Sequence, residues 1–243
     1  MAGGQRTSLR QQATLKLLGG FELAADGAVL AVPPHVERLV AFLGLQGRPL
    51  RRTYVAGKLW LDSSQEQAFG CLRTTLWRLR RASMPIVHAT STHLALHPSV
   101  AVDAHDVVAT AERFLRRHEE LDESDIELLA DASELLPDWY EDWVEQERER
   151  IAQLRLLALE SACEELAAAS RYREAATAAL AAVTTDPLRE SARRLLISTY
   201  LDAGNEAEAL RQYADFRSRL EREVGLEPSF RMLDLARAFG VSR

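Results

Sequence analysis

Apolar and polar positions in the first hundred residues predict short strands around three helices. Runs that suit short strands occur at 14–18, 20–23, 28–30, 86–88 and 93–96. Asp26-Gly27 between the second and third runs is a hairpin signal, because both residues tolerate the positive φ angles of a tight turn. The last two runs flank a short polar stretch, which predicts a second hairpin at the end of this region.

The three helices of this region each carry start or stop signals. Pro33-Pro34 opens the first, which we expect to stop at Gly44 and Gly47. The second is expected to be short, with Thr53 as its N-cap. The third should run to about Ala82. It should begin with a capping box, formed either by Ser63 with Glu66 or by Ser64 with Gln67.

The third helix has an apolar face and an arginine-rich face. At 100° per residue, one stripe is expected to pack in the core: Ala68, Leu72, Leu76 and Leu79. The outward side carries Arg73, Thr74, Trp77, Arg78 and Arg81. Arginine can donate two hydrogen bonds to guanine and threonine can touch a thymine methyl group, so this helix suits the major groove of DNA. The alternative is a solvated basic face that only keeps the domain soluble.

The charge distribution favours the DNA-binding interpretation. Residues 1–102 hold 12 Lys and Arg against 5 Asp and Glu, a net charge of +7, whereas residues 103–243 hold 18 against 31, a net charge of −13. A basic half suits a polyanion, and an acidic half is better suited to meeting protein. We find neither a secretory signal pattern nor a run of 18 apolar residues, so we expect a cytoplasmic protein without a membrane span.

The second half is expected to be helical throughout. Helical spacing extends over 127–170 with one break at Pro137-Asp138. Segments 170–175 and 204–209 are equivalent at an offset of 34 residues, the period of tetratricopeptide helical hairpins. Further helices should carry a proline in their first turn, and these prolines are Pro187 and Pro228. Three aromatic residues at i, i+1 and i+4 are expected to pack in a core: Trp139, Tyr140 and Trp143.

Residue spacing gives little support to an enzyme. Gly57-Lys58 has neither the glycine five residues before it nor the following Ser or Thr that a P-loop requires. Cys71 and Cys163 form no zinc or disulfide motif, and we expect both to be small buried residues. No catalytic residue, metal site or cofactor is therefore predicted.

The residues of the first half resemble the OmpR-type winged helix of the actinobacterial antibiotic regulatory proteins, the SARP family. The matching stretches are 38–43, 57–62, 72–81 and 102–103. The second half independently resembles the bacterial transcriptional activation domain that follows the winged helix in SARP regulators. Its matching stretches are 136–143, 147–150, 186–190 and 223–229. Family members usually have Asn where this chain has Cys71.

The resemblance implies a mainly α protein of two domains. A winged helix-turn-helix of α+β type would occupy 14–103 after a disordered N-terminus at 1–13. An all-α tetratricopeptide-like helical-repeat domain would occupy 104–243. In this arrangement the third helix is the recognition helix, and the following hairpin is the wing beside the minor groove.

The same resemblance implies a transcriptional activator that binds direct repeats in promoter DNA and recruits RNA polymerase, often for secondary metabolism. A homodimer is left open. The alternative is a protein-interaction adaptor that uses the acidic helical-repeat domain and has lost specific DNA readout, which Cys71 would favour. The residues expected to contact DNA are Arg51, Arg52, Thr53, Arg73, Thr74, Trp77, Arg78, Arg81, Thr90 and Thr92.

Overall fold

The computed structural model describes residues 13–80, 85–117 and 122–238. In chain order, the elements are β1 (Ala13–Lys16), β2 (Glu22–Ala25), β3 (Ala28–Val29), α1 (Pro34–Gln46), β4 (Leu50–Arg51), α2 (Arg52–Leu59), α3 (Gln65–Leu79), β5 (Val87–Ala89), β6 (His93–Leu96), β7 (Val100–Val102), α4 (Asp103–Arg117), α5 (Glu123–Asp131), α6 (Asp142–Ala168), α7 (Tyr172–Thr185), α8 (Glu190–Asp202), α9 (Glu206–Val224) and α10 (Phe230–Ala238). Small sheets near the start and helices thereafter confirm the predicted fold class. The segment 1–13, predicted to be disordered, lies outside the described residues except for Ala13, which begins β1.

The chain folds as two compact units. The first unit contains the described residues up to Asp106 together with Glu134–Glu147. The second contains Val107–Ser133 and the described residues from Arg148 onward. Segment Glu134–Glu147 thus belongs to the first unit, whereas the sequence pattern assigns it to a helical domain at 104–243.

A four-stranded sheet in the order β3-β2-β1-β7 opens the first unit. β1 pairs antiparallel with β2 and parallel with β7. Between β2 and β3, Asp26 and Gly27 have φ values of 51° and 80°. Two consecutive positive φ angles suit a tight hairpin, so the hairpin predicted at Asp26-Gly27 is confirmed.

Helix α1 starts where predicted and ends at only one of its two predicted stops. Pro34 occupies the first turn, and Gly47 caps the C-terminus with a left-handed φ of 59°. Gly44 lies inside the helix, so the prediction that the helix stops there is wrong. A Cβ at Gly44 would lie only 2.7 Å from Cδ2 of Leu15, which shows that Gly44 lets β1 pack closely on α1.

Helix α2 begins at Arg52, and the prediction of Thr53 as its N-cap is wrong. The N-cap is Arg51, and no side chain makes a capping hydrogen bond. Because Leu50 and Arg51 pair with β6, the chain is extended up to Arg51 and turns directly into the helix. The backbone N–H of Arg52 donates to the carbonyl oxygen of Thr92 at 2.9 Å, which joins the start of α2 to the β5–β6 hairpin.

Helix α3 has the predicted capping box, formed by Ser64 and Gln67. The backbone N–H of Gln67 donates to Ser64 Oγ at 3.3 Å, and the backbone N–H of Ser64 donates to Gln67 Oε1 at 3.1 Å. The helix ends at Leu79, before the predicted end at Ala82, which lies outside the described residues. Strands β4, β6 and β5 then form a three-stranded sheet, which confirms the predicted hairpin.

Asp103 lies in the first unit at the point where β1, β7 and α4 meet. Its carboxylate accepts hydrogen bonds from the backbone N–H groups of Leu17, Leu18 and Ala104, at 2.7 to 3.1 Å. Leu17 is fully buried, so without this carboxylate its N–H would lose its hydrogen-bond acceptor. This network gives a physical reason for an aspartate directly after β7.

Segment Glu134–Glu147 carries aromatic side chains into the first unit. Trp143 is buried and meets the Phe42 ring edge-on, with centroids 5.2 Å apart. Trp139 packs on Trp143 at 6.1 Å, but Tyr140 is 80% exposed, so the core prediction is wrong for Tyr140. The break predicted at Pro137-Asp138 is wider than expected, because α5 ends at residue 131 and α6 starts at residue 142. Tyr140 lies outside any helix, so the i, i+1 and i+4 spacing of a helix does not predict its burial.

The second unit contains two helical hairpins related by the predicted offset of 34 residues. Ser170 precedes α7 with a φ of 60°, and Gly204 precedes α9 with a φ of 73°. The same turn hydrogen bond recurs from Arg171 N–H to the Leu166 carbonyl and from Asn205 N–H to the Tyr200 carbonyl. These matching turns confirm the tetratricopeptide-like repeat.

Polar contacts from Arg189 and Glu190 hold the helices of the second unit together. Arg189 donates from Nε and Nη2 to the two oxygens of Glu160, both at 2.8 Å. Glu190 accepts hydrogen bonds from the backbone N–H and the hydroxyl of Ser229, just before α10. Helices α8 and α10 begin at residues 190 and 230, so the prediction that Pro187 and Pro228 lie in first turns is wrong. The prolines lie in the connections before these helices.

Candidate nucleic-acid interface

The outward face of α3 carries the side chains that the helical periodicity predicts. Arg73, Thr74 and Arg78 are exposed, and Trp77 is 58% exposed. The predicted core stripe is buried: Ala68, Leu72, Leu76 and Leu79. A buried apolar stripe fixes the helix on its domain, so its arginine-rich side remains available to a partner.

Along one flank of α3 lies a groove of about 450 Å³, which we call the basic groove. It is lined by Arg52, Arg73, Thr74, Leu76, Trp77 and Arg80. The structure therefore brings Arg52 from α2 together with three of the predicted α3 residues. The Nε atom of Arg52 is buried and has no hydrogen-bond partner among the described residues.

Arg80 belongs to the basic groove but was missed by the helical-face prediction. At 100° per residue Arg80 lies only about 20° from Arg73, but the predicted outward set did not include it. In the structure Arg80 is the C-cap of α3 and lines the groove together with Arg73 and Trp77. The run Arg78-Leu79-Arg80-Arg81 is the sequence signal that could have identified it.

A second groove of about 540 Å³ includes residues from the other flank of α3, and we call it the histidine groove. It is lined by His35, Trp60, Gln67, Gly70, Cys71, Thr74, Thr75 and Arg78. Cys71 is exposed here, so the prediction that it is buried is wrong, whereas Cys163 is buried as predicted. Cys71 precedes the buried Leu72 by one residue, and a rotation of 100° takes its side chain out of the core stripe.

His35 is the other functional candidate that the sequence did not reveal. Its Nε2 accepts a hydrogen bond from Arg78 Nη1 at 3.3 Å. Burial, and after it the positive charge of Arg78, lower the pKa of His35 below the usual value for histidine. Near neutral pH the ring is therefore uncharged and able to accept this bond.

The β5–β6 hairpin lies near the start of α2 and carries two of the residues predicted to contact DNA, Thr90 and Thr92. Arg51 pairs with His93 across β4 and β6, and Thr90 and Thr92 are exposed at the turn. Thr90 Oγ1 accepts hydrogen bonds from the backbone N–H groups of Thr92 and His93, which orders the turn. Thr53 is exposed in the first turn of α2, and Arg81 lies outside the described residues.

Residues 13–80, 85–117 and 122–238 contain no group of three or more His, Cys, Asp or Glu side chains that could hold a metal ion. None of the helices in the described part of the chain is long and apolar enough to cross a membrane.

Comparison with known proteins assigns the helical part of the chain to a protein family. Residues 101–239 match the family described as the bacterial transcriptional activator domain. The chain belongs to this family. Together with the relatives below, this match confirms the resemblance to SARP-type transcriptional activators.

Two relatives have a similar sequence over most of this SARP-type chain. Regulatory protein AfsR of Streptomyces coelicolor is 30% identical over 232 residues, which cover 87% of this chain and 22% of AfsR. AfsR of Streptomyces griseus is 28% identical over 232 residues, which cover 89% of this chain and 23% of that protein. The chain thus spans about a fifth of the length of these relatives.

A solved structure has the same fold. Mycobacterium tuberculosis EmbR, determined in complex with a low-affinity phosphopeptide, superimposes with a TM-score of 0.69 at 19% sequence identity. The match covers 94% of this SARP-type chain and 65% of EmbR. This similarity supports the winged-helix and helical-repeat fold.

Proposed function

We propose that this SARP-type regulator activates transcription by binding promoter DNA, with α3 as its recognition helix. The observation that carries this proposal is the basic groove, in which Arg52 of α2 joins Arg73 and Trp77 of α3 and the C-cap residue Arg80 on one surface. Arginine-rich surfaces attract the phosphate backbone, and a helix of this size fits the major groove. The solvated-face alternative gives no reason for arginines from two elements to gather around an exposed tryptophan.

The exposed α3 side chains are proposed to read bases. Arg73 and Arg78 can each donate two hydrogen bonds to guanine, and Thr74 can contact a thymine methyl group. Arg81 is proposed to extend this surface, from its position in the sequence alone. Trp77 offers a large rigid apolar surface between the arginines, which suits contact with a methyl group or a sugar.

The start of α2 and the wing are proposed to hold the DNA backbone. Arg51 is the N-cap of α2 and Arg52 is its first residue, so both lie at the positive end of the helix dipole, which favours a phosphate. Thr53 adds a hydroxyl group there, and Thr90 and Thr92 offer hydroxyl groups at the tip of the wing. Contacts of this kind set the position of the protein on DNA without reading its sequence.

The helical-repeat domain is proposed to recruit RNA polymerase and to support self-association. Residues 103–243 carry a net charge of −13, which disfavours contact with phosphate and suits a protein partner. The proposed sites on DNA are direct repeats near promoters of secondary-metabolism genes, where one protomer would occupy each repeat.

Arg73→Ala tests whether α3 reads bases. We expect a loss of about 1 to 3 kcal/mol in binding free energy on a DNA duplex selected by the protein, and a smaller loss on random DNA. Fluorescence anisotropy on both duplexes measures the difference. The matched control is Arg116→Ala, which removes an exposed charge from the second unit. An equal loss on both duplexes would assign Arg73 to a phosphate contact and contradict its role in base reading.

The double variant Arg51→Ala/Arg52→Ala tests the phosphate contacts. We expect weaker binding to every DNA sequence, because these side chains neutralise phosphates rather than read bases. The slope of log affinity against log salt concentration should become shallower by roughly one phosphate for each arginine removed. An unchanged slope would place both residues away from the DNA backbone.

A further inference from the structure

The base-reading arginine nearest the C-terminal end of α3 has a partner on a different helix. His35 lies in the first turn of α1, directly after Pro33-Pro34, and Pro34 holds this turn with its fixed φ angle. His35 Nε2 and Arg78 Nη1 are 3.3 Å apart, in a groove shared by both residues. The pair links the start of α1 to the recognition helix.

We propose that neutral His35 is a positioning residue that holds the Arg78 guanidinium ready to read a base pair, and that protonation of His35 relaxes sequence readout. This inference rests on the proposed function, since it assumes that Arg78 faces DNA bases.

The geometry of the guanidinium explains why one hydrogen bond can serve this purpose. Arginine presents its N–H groups in a planar fork. When Nη1 donates to His35, the edge formed by Nε and Nη2 is left for guanine O6 and N7, and no other described residue bonds to that edge. A long side chain that is already oriented loses less conformational freedom on binding than a free one.

The hydrogen bond exists only while His35 is uncharged. A protonated ring has two N–H donors and no acceptor, so it would repel Arg78 instead of holding it. Two titratable groups share the groove with His35, namely Cys71 and Arg78. Along the chain His35 is followed by Glu37 and Arg38, and Arg38 pairs with Glu141. Glu141 is 2.8 Å from Arg38, so these two charges compensate each other, and Arg78 is the charged group within hydrogen-bonding distance of the ring.

The sign of the pH effect follows from this arrangement. Burial and Arg78 lower the pKa of His35, so the hydrogen bond is complete at neutral pH and is lost as the pH falls through that lowered value. Below it, Arg78 loses its orientation while the surface gains a positive charge. Affinity for the selected sequence should fall relative to random DNA, and affinity for random DNA should rise slightly.

The test uses the full chain and a duplex enriched by the wild-type protein from a randomised DNA pool. A scrambled duplex of the same composition is the comparison. His35→Ala should weaken binding to the enriched duplex about tenfold and binding to the scrambled duplex less than twofold. In an Arg78→Ala background, His35→Ala should have no further effect, because the two side chains act as one unit.

A pH series separates positioning from a general structural role. Between about pH 5 and 8, the wild type should lose its preference for the enriched duplex at the acidic end. His35→Gln should keep most of the preference and lose the pH dependence, because its amide oxygen accepts a hydrogen bond without titrating.

Two results would overturn the inference while leaving DNA readout intact: an equal loss for His35→Ala in the Arg78→Ala background, or an unchanged pH response in His35→Gln. If the wild type enriches no sequence, the proposed function fails, and this inference fails with it.

Discussion

Replacing Arg189 with alanine is expected to lower the free energy of unfolding of the helical unit by about 3 to 5 kcal/mol. Glu160 is only 9% exposed, and both of its oxygens accept hydrogen bonds from Arg189. Without the guanidinium, the carboxylate would remain buried with the Ser191 hydroxyl as its remaining side-chain donor. An uncompensated buried charge costs much more than the loss of an exposed ion pair.

Urea denaturation followed by far-UV circular dichroism measures this change. The matched control is Arg237→Ala in α10 of the same unit, whose ion pair with Asp234 is exposed to solvent. We expect less than about 1 kcal/mol for the control. If Arg189→Ala destabilised the protein no more than the control, the pair with Glu160 would not be a structural contact of the helical unit.

The same pair makes stability depend on pH. Burial alone would raise the pKa of Glu160, but hydrogen bonds from Arg189 and Ser191 outweigh it and hold that pKa below the usual value for glutamate. The stabilisation is therefore complete above the pKa of the unfolded state, about 4.3, and is lost as the pH falls through the lower pKa of the folded state. Arg189→Ala should reduce this acid sensitivity as well as the stability at neutral pH.

Inserting five base pairs between the two direct repeats of a selected site is expected to abolish cooperative binding. One winged helix reads too few base pairs to define a unique promoter, since each pair supplies about 1 to 3 kcal/mol. Two protomers on adjacent repeats must lie on the same face of the duplex, so the repeats should be about 10 to 11 base pairs apart or a multiple of that. Five extra pairs rotate one repeat by about half a turn.

A gel-shift series with insertions of five and ten base pairs tests this arrangement. We expect the five-pair insertion to reduce apparent affinity by about a hundredfold or more, because two tethered sites no longer act together. The ten-pair insertion restores the rotation and should recover part of the affinity. Equal binding to the parent site and the five-pair insertion would show that protomers bind independently.

Local sequence signals predicted the elements that depend on local physics. The turn at Asp26-Gly27 and the Ser64 capping box each rest on residues within a few positions, and both are present in the structure. The 34-residue repeat was equally readable, because each hairpin repeats the same turn, with Ser170 and Gly204 both in the left-handed region.

Contacts between distant segments were not readable from spacing. Thr53 has the chemistry of an N-cap, but the pairing of Arg51 with the wing starts α2 two residues earlier than expected. Tyr140 follows a helical spacing in a stretch that is not helical. His35 and Arg78 are 43 residues apart in the sequence, and no local pattern predicts a contact between them.

The return of Glu134–Glu147 to the first unit has a consequence for the order of events during synthesis. Phe42 and Leu17 are made early, but their partners in this segment, Trp143 and the backbone of Leu136, leave the ribosome about a hundred residues later. Until then the nascent winged helix has an uncovered apolar face. Its final packing therefore waits for residues 134–147, and the intervening stretch 107–133 is made before the first unit is complete.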